Sequence, residues 1–239
     1  MDDQLWQRFL GEVRTHHLAG WLPTDRSVIL DLSRGCPGLV SQMIEAGHTV
    51  LHADLQPQRP DIRPEPQSPG RLLSLQADPV APDWLADEAL EVIVAEGGTL
   101  SSALAAELTL ERLITALKPG GRLLLCVDSL VAGLANLAEA GRWAELADVP
   151  AADVVLIPHA AGRVTRCFWP EELHGMLTAA GFEVDWIRPR AVLAEETVIR
   201  ALHQDPGQLQ SLVTTELALE ARRQGESIGG QLLASARRP

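Results

Sequence analysis

Val28-Ile-Leu-Asp-Leu-Ser-Arg-Gly-Cys-Pro-Gly38 begins as a β-strand and ends as the start of a helix. The apolar run Val28-Ile29-Leu30 stops at Asp31, and a turn containing Gly35 leads to Pro37. Proline suits the first position of a helix, where its missing N–H is no loss. Residues 40–46 carry helical spacing, and Gly47 is placed to end that helix in the left-handed conformation. A second apolar strand over 48–53 stops at Asp54. Strand, loop, helix, strand is the repeating unit of a parallel sheet.

The same alternation continues outward. Residues 56–70 hold five prolines, at 57, 60, 64, 66 and 69, which excludes a continuous helix or a central strand and predicts an irregular surface excursion. Strands are predicted over 72–76, 90–95 and 122–127, with a short helix over 84–89 and a longer one over 101–117 that Lys118-Pro-Gly-Gly121 stops. A helix over 170–180 closes at Gly181, a strand runs over 182–188, a helix over 208–224 and a last strand over 231–237. Between 129 and 165 helix and loop are not separable by pattern. Ahead of this unit, Leu5, Trp6, Phe9, Leu10 and Val13 share one face of an amphipathic helix over 3–19. That helix covers a core edge or lies as a lid over a ligand.

The predicted fold is α/β: a doubly wound, mostly parallel sheet with helices on both faces. A chain of 239 residues fits one domain, 1–239, with 1–22 a helical extension and 129–168 on the substrate side. The composition, 46% apolar and 22% charged, is that of a packed protein. Lys and Arg total 20 against 32 Asp and Glu, a net charge of -12 without a basic cluster large enough to track phosphates, which argues against nucleic acid as a partner. No segment has the roughly 18 uncharged apolar residues of a membrane span, and the acidic start MDDQLWQRFL lacks the pattern of a secretory signal. Cys36, Cys126 and Cys167 are too few and too scattered for a disulfide framework. A cytoplasmic location is expected; the oligomeric state is not readable.

Ligands of open α/β sheets bind beyond the carboxyl ends of the strands, which directs attention to Asp31–Gly38, Asp54, Asp78 and Glu96–Thr99. The run from Val28 to Gly38, Asp54 lying 23 residues after Asp31, Lys118-Pro-Gly-Gly121, and Trp169-Pro-Glu-Glu-Leu with Ala180-Gly-Phe182 together resemble the class I S-adenosylmethionine-dependent methyltransferases. The resemblance spans about residues 27–239 and implies a Rossmann-like, seven-stranded sheet whose last strand enters antiparallel beside the fifth. In that family the loop after the first strand reads Asp-x-Gly-x-Gly-x-Gly; here Ser33, Gly35 and Pro37 hold the glycine positions. Serine lacks glycine's freedom at positive φ and proline removes a backbone donor, so this loop departs from the pattern at two positions.

The resemblance implies S-adenosylmethionine as cofactor and a small-molecule methyl acceptor. It places Asp31, Ser33 and Gly35 at the cofactor's amino-acid end, Asp54 on the ribose hydroxyls with Leu55 beside it, Asp78 at the adenine amino group with Pro79 or Val80 against the ring, and Glu96 after the fourth strand. A charge-assisted pair of bonds from a strand-end carboxylate suits Asp54; a plain turn aspartate explains Asp78 as well. His159, in Leu156-Ile-Pro-His-Ala-Ala-Gly162, is the candidate base because imidazole changes charge near neutrality. No histidine or cysteine spacing fits a metal site. Two other classes stay open: Ser33-x-Gly35-x-x-Gly38 with Asp54 also fits a dinucleotide fingerprint of an NAD-dependent oxidoreductase, and a noncatalytic binding protein can carry the same fold.

Overall fold

The computed structural model describes residues 2–55, 68–152, 154–158 and 164–239. Its elements in chain order are α1 (Asp2–Trp21), β1 (Val28–Asp31), α2 (Pro37–Glu45), β2 (Thr49–Asp54), β3 (Arg71–Gln76), β4 (Leu90–Ala95), α3 (Ala106–Ala116) and β5 (Leu117–Ser129). There follow α4 (Leu130–Glu139), α5 (Trp143–Asp148), β6 (Val155–Pro158), β7 (Val164–Phe168), α6 (Pro170–Ala179), β8 (Glu183–Arg190), α7 (Glu195–Gln204), α8 (Leu209–Arg222) and β9 (Gln231–Arg237).

Strands β3, β2, β1, β4 and β5 lie side by side and parallel. Beyond β5 comes β9, antiparallel along Arg122–Asp128, and then β8, antiparallel to β9. This is the doubly wound seven-stranded sheet expected from the sequence, including the antiparallel closing strand. It forks at the end of β5: Asp128 and Ser129 also pair in parallel with Cys167 and Phe168 of β7, whose hairpin partner is β6. The hairpin brings the sheet to nine strands among the described residues.

Successive residues of the central strands face opposite cores, which is why those strands read as unbroken apolar runs. Leu30, Ile93, Leu123 and Leu125 pack with Leu110 and Leu113 of α3 and Leu173 and Leu177 of α6. Ile29, Val92, Val94, Leu124 and Cys126 pack with Leu39, Val40 and Met43 of α2 and with Leu18 and Trp21 of α1. The first half of α1 buries Phe9, Leu10 and Val13 against Val198 and Leu202 of α7 and Val213 of α8. Its end is pinned to the sheet: the Trp21 indole N–H donates to Ser235 Oγ at 2.9 Å, and the Arg122 guanidinium stacks 4.5 Å from the Trp21 ring.

Three expectations are corrected. Residues 84–89 form turns and no helix, because Glu88 takes a positive φ of 53° and the Trp84 indole N–H is drawn to the Asp78 carbonyl. The helix expected over 101–117 is broken into a single 3-10 turn, Leu100–Ser102, and α3, with Ala103 extended between them. Lys118-Pro-Gly-Gly121 lies within β5, beside a register shift against β4. The proline-rich excursion falls largely outside the described residues.

Candidate functional site

Asp31 ends β1 fully buried, and the register of the sheet sets it directly opposite His52 of β2. One carboxylate oxygen meets His52 Nδ1 at 2.6 Å and the other accepts the Ser33 N–H at 3.2 Å. From here the chain zips onto β4: the Leu32 N–H donates to the Val94 carbonyl at 2.8 Å, and the Arg34 N–H to the Glu96 carbonyl at 3.0 Å. The Glu96 N–H donates to Ser33 Oγ at 3.1 Å, and Thr99 Oγ1 donates to the Leu32 carbonyl at 2.6 Å. A glycine at 33 has no hydroxyl to accept that N–H. Pro37 occupies the first turn of α2, so its missing donor breaks no helical bond.

Glu96, the first residue beyond β4, turns away from this loop. Both its oxygens are held by Arg190 of β8, at 2.8 and 2.6 Å, and both side chains are buried. A fork-to-fork pair of this kind satisfies a charge that burial alone would penalise severely. Burial would raise the Glu96 carboxyl, but the Arg190 charge and its hydrogen bonds hold it below the ordinary carboxylate value. Gly97 and Gly98 follow with φ of 72° and 71°. A Cβ on Gly97 would collide with the Arg34 carbonyl oxygen, so the β1 and β4 loops touch through bare backbone.

Between these loops, the end of β5 and the start of β7 opens a cleft of about 590 Å³. Gly35 (φ 70°), Gly97 and Gly98 supply backbone, and Arg34, Asp128 and Thr165 supply polar side chains. A Cβ on Gly35 would meet nothing within 4 Å. The Arg34 guanidinium donates to Ser102 Oγ at 2.8 Å, and the Asp128 backbone N–H donates to Ser101 Oγ at 2.8 Å.

Of the residues singled out from sequence, Gly35 lines the cleft, while Asp31, Ser33 and Glu96 bind one another's backbone or a distant arginine behind it. Asp54 ends β2, its carbonyl taking the Ala77 N–H at 3.1 Å, and Leu55 is exposed. Asp78 follows β3, where one carboxylate oxygen accepts the Val80 N–H at 3.0 Å in a tight turn. Pro79 lines a small internal space together with Leu32, Ala95, Leu100 and Leu113. His159 lies outside the described residues. Sequence reading took in Arg34 only as part of the Asp31–Gly38 loop and missed Asp128; the latter lies one residue before the end of the fifth strand, a strand-end signal followed only through four strands.

No family model matches the sequence, and no curated protein does. Solved structures do. A putative S-adenosylmethionine-dependent methyltransferase from Listeria monocytogenes superposes with a TM-score of 0.64 at 16% identity, over 95% of this chain and 99% of that one. An S-adenosylmethionine-dependent methyltransferase from Mesorhizobium loti gives 0.59 at 17% identity, over 93% and 96%. The Burkholderia thailandensis 1,6-didemethyltoxoflavin-N1-methyltransferase, solved with 1,6-didemethyltoxoflavin and S-adenosylhomocysteine, gives 0.54 at 18% identity, over 98% and 78%. With strand order, closing antiparallel strand and coverage all in agreement, this chain has the fold of the S-adenosylmethionine-dependent methyltransferases.

Proposed function

We propose that the chain transfers a methyl group from S-adenosylmethionine to a small molecule. The observation that carries this reading is the cleft beyond β1, β4 and β5, where Gly35, Gly97 and Gly98 all take left-handed φ and present backbone without side chains. Open space at the Cβ position of Gly35 fits a ligand that must lie close against the main chain. The Burkholderia structure, with a small heterocycle and S-adenosylhomocysteine together, supports the same class of ligands on this fold.

In this reading Gly35 and the loop backbone face the cofactor's amino-acid end, Asp54 takes the ribose hydroxyls, and Leu55, Asp78 and Pro79 border the adenine. Asp31, Ser33 and Glu96 hold the loops in shape from behind. When bound, the cofactor supplies an electrophilic methyl group on a sulfonium. The chain's own task is to hold the acceptor's nucleophile in line with it and to exclude water. Arg34 and Asp128 orient the acceptor from opposite signs of charge, and Asp128 can take up the proton the nucleophile releases. Residues 129–168 form the acceptor side, with His159 a second candidate base from sequence alone. The free, buried cysteines Cys36, Cys126 and Cys167 suit a reducing cytoplasm.

A ligand of the native state stabilises it by RT ln(1 + [L]/Kd). S-adenosylhomocysteine should raise the melting temperature of the folded protein while NAD and NADP leave it unchanged. A shift with NAD alone would move the assignment to the oxidoreductases, and none with either ligand class would leave a noncatalytic protein on this fold.

A further inference from the structure

Three strands of the sheet, β3, β6 and β8, have one side unpaired among the described residues. A row of free backbone N–H and C=O groups invites pairing with another strand, and proteins usually blunt such an edge. Two of the three are blunted here. Strand β8 carries Pro189 and a register shift between Val184 and Trp186, and its Ile187 carbonyl accepts the Gly225 N–H at 2.9 Å. Strand β6 is only 4 residues long and ends at Pro158. Strand β3, Arg71-Leu-Leu-Ser-Leu-Gln76, has no proline, an unbroken register against β2, and one charge, at its first residue.

Its side chains add to the exposure. Leu73 is 47% and Leu75 37% exposed, on the sheet face of their neighbours Leu51 and Ala53. The connection from β3 to β4 puts no helix over that face, because residues 77–89 form turns and irregular chain. The ladder with β2 fixes which backbone groups point outward. The Arg71 N–H donates to the His48 carbonyl and the Ala77 N–H to the Asp54 carbonyl, so the odd-numbered residues bond to β2. Leu72, Ser74 and Gln76 therefore turn their N–H and C=O groups outward.

A second β3, antiparallel about a twofold axis at Ser74, meets these groups in step. Ser74 then pairs with the partner's Ser74 and Leu72 with the partner's Gln76, each as a hydrogen-bonded pair. Leu73 falls opposite the partner's Leu75, so four half-exposed leucines cover one another. Arg71 lands beside the partner's Asp78, and opposite charges meet at both ends of the contact. An axis moved to Leu73 loses this match, because it sets Leu75 against the partner's Arg71.

We propose that β3 is a homodimer interface, where two copies of this chain join edge to edge into one continuous sheet. The pairing is isologous, as a twofold dimer requires. It stands on the sheet edge alone and does not depend on the cofactor reading. One short strand makes a small contact, so the dimer should form and dissociate with concentration.

Sedimentation velocity from micromolar to submillimolar protein should show a monomer–dimer equilibrium. Ser74→Pro removes an outward N–H at the axis and no bond to β2, so it should weaken the dimer at least about tenfold while the monomer stays folded. Leu73→Lys should do the same without touching the backbone. Under mild oxidation Ser74→Cys should cross-link to its own copy and Gln76→Cys should not, since this register brings the two residues 74 together and holds the two residues 76 apart. The native cysteines are buried and do not compete. A wild type that stays monomeric throughout the range overturns the proposal, even if β3 pairs with a strand of another protein. So does a dimer that survives both Ser74→Pro and Leu73→Lys, or one that cross-links through Gln76→Cys and not through Ser74→Cys.

Discussion

Ser33 occupies a position where the resembling family has glycine, and its hydroxyl is already in use by the Glu96 N–H. Restoring the glycine therefore removes an acceptor from a buried donor, which costs about 1–3 kcal/mol. Ser33→Gly should lower the melting temperature without tightening S-adenosylhomocysteine; tighter binding at equal stability would mean the serine obstructs the site. Asp54 diverges in the opposite way. If it takes the ribose hydroxyls, Asp54→Ala should weaken ligand binding about ten- to a hundredfold, from loss of about 1.5–3 kcal/mol, while the ligand-free protein melts as before. An affinity within twofold of wild type, with stability reduced, would make Asp54 a turn residue. The Glu96–Arg190 pair is the third case. Arg190→Met leaves a buried carboxylate whose nearest arginine nitrogen, on Arg14, is 3.9 Å away, and breaking such a pair costs about 3–5 kcal/mol. Denaturant unfolding that shows less than about 1 kcal/mol would contradict the packing described here.

At the scale of elements, the seam between α1 and α8 should set the pH dependence of stability. Burial pushes the Glu216 and Glu220 carboxyls up to about 7 from an ordinary 4.5, and lowers His17 to about 4 from 6.5. Between about 4.5 and 7 the folded chain keeps protons that the unfolded chain has released, so the two acids make stability fall as pH rises through that window. His17 acts oppositely between about 4 and 6.5, where the unfolded chain binds a proton that the folded chain refuses. Two acids outweigh one base. Melting temperatures should decline from pH 5 to pH 8 in the wild type and decline less in Glu220→Gln; superimposable profiles would remove the seam as the cause.

The elements also divide by how well they could be read from sequence. Strands β1, β4 and β5 were legible because each alternates residues between two buried cores, which makes an apolar run that no surface segment imitates. Helix α7 was not, because Val198 and Leu202 are its only buried anchors among charged neighbours. The β6–β7 hairpin was hidden for another reason: Val155, Ile157 and Cys167 bury against Leu130 and Leu137 of α4, a contact set by tertiary packing and not by local period. In the site, strand-end positions were legible and partners were not. Asp31 finds His52 through strand register, and Glu96 finds Arg190 across 94 residues of chain.

For the whole molecule, a net charge of -12 and a cleft lined by one arginine and one aspartate suit a small acceptor better than a polyanion. Retardation of tRNA or duplex DNA by this protein at physiological salt would contradict that. The proposed function puts the S-adenosyl ligand across the backbone of the β1 and β4 loops. A crystal structure with S-adenosylhomocysteine tests it most directly. The ligand should run over Gly35 and Gly97, with its ribose at Asp54. Density in any other cavity of the fold, or an empty cleft in crystals grown with saturating ligand, would contradict the assignment.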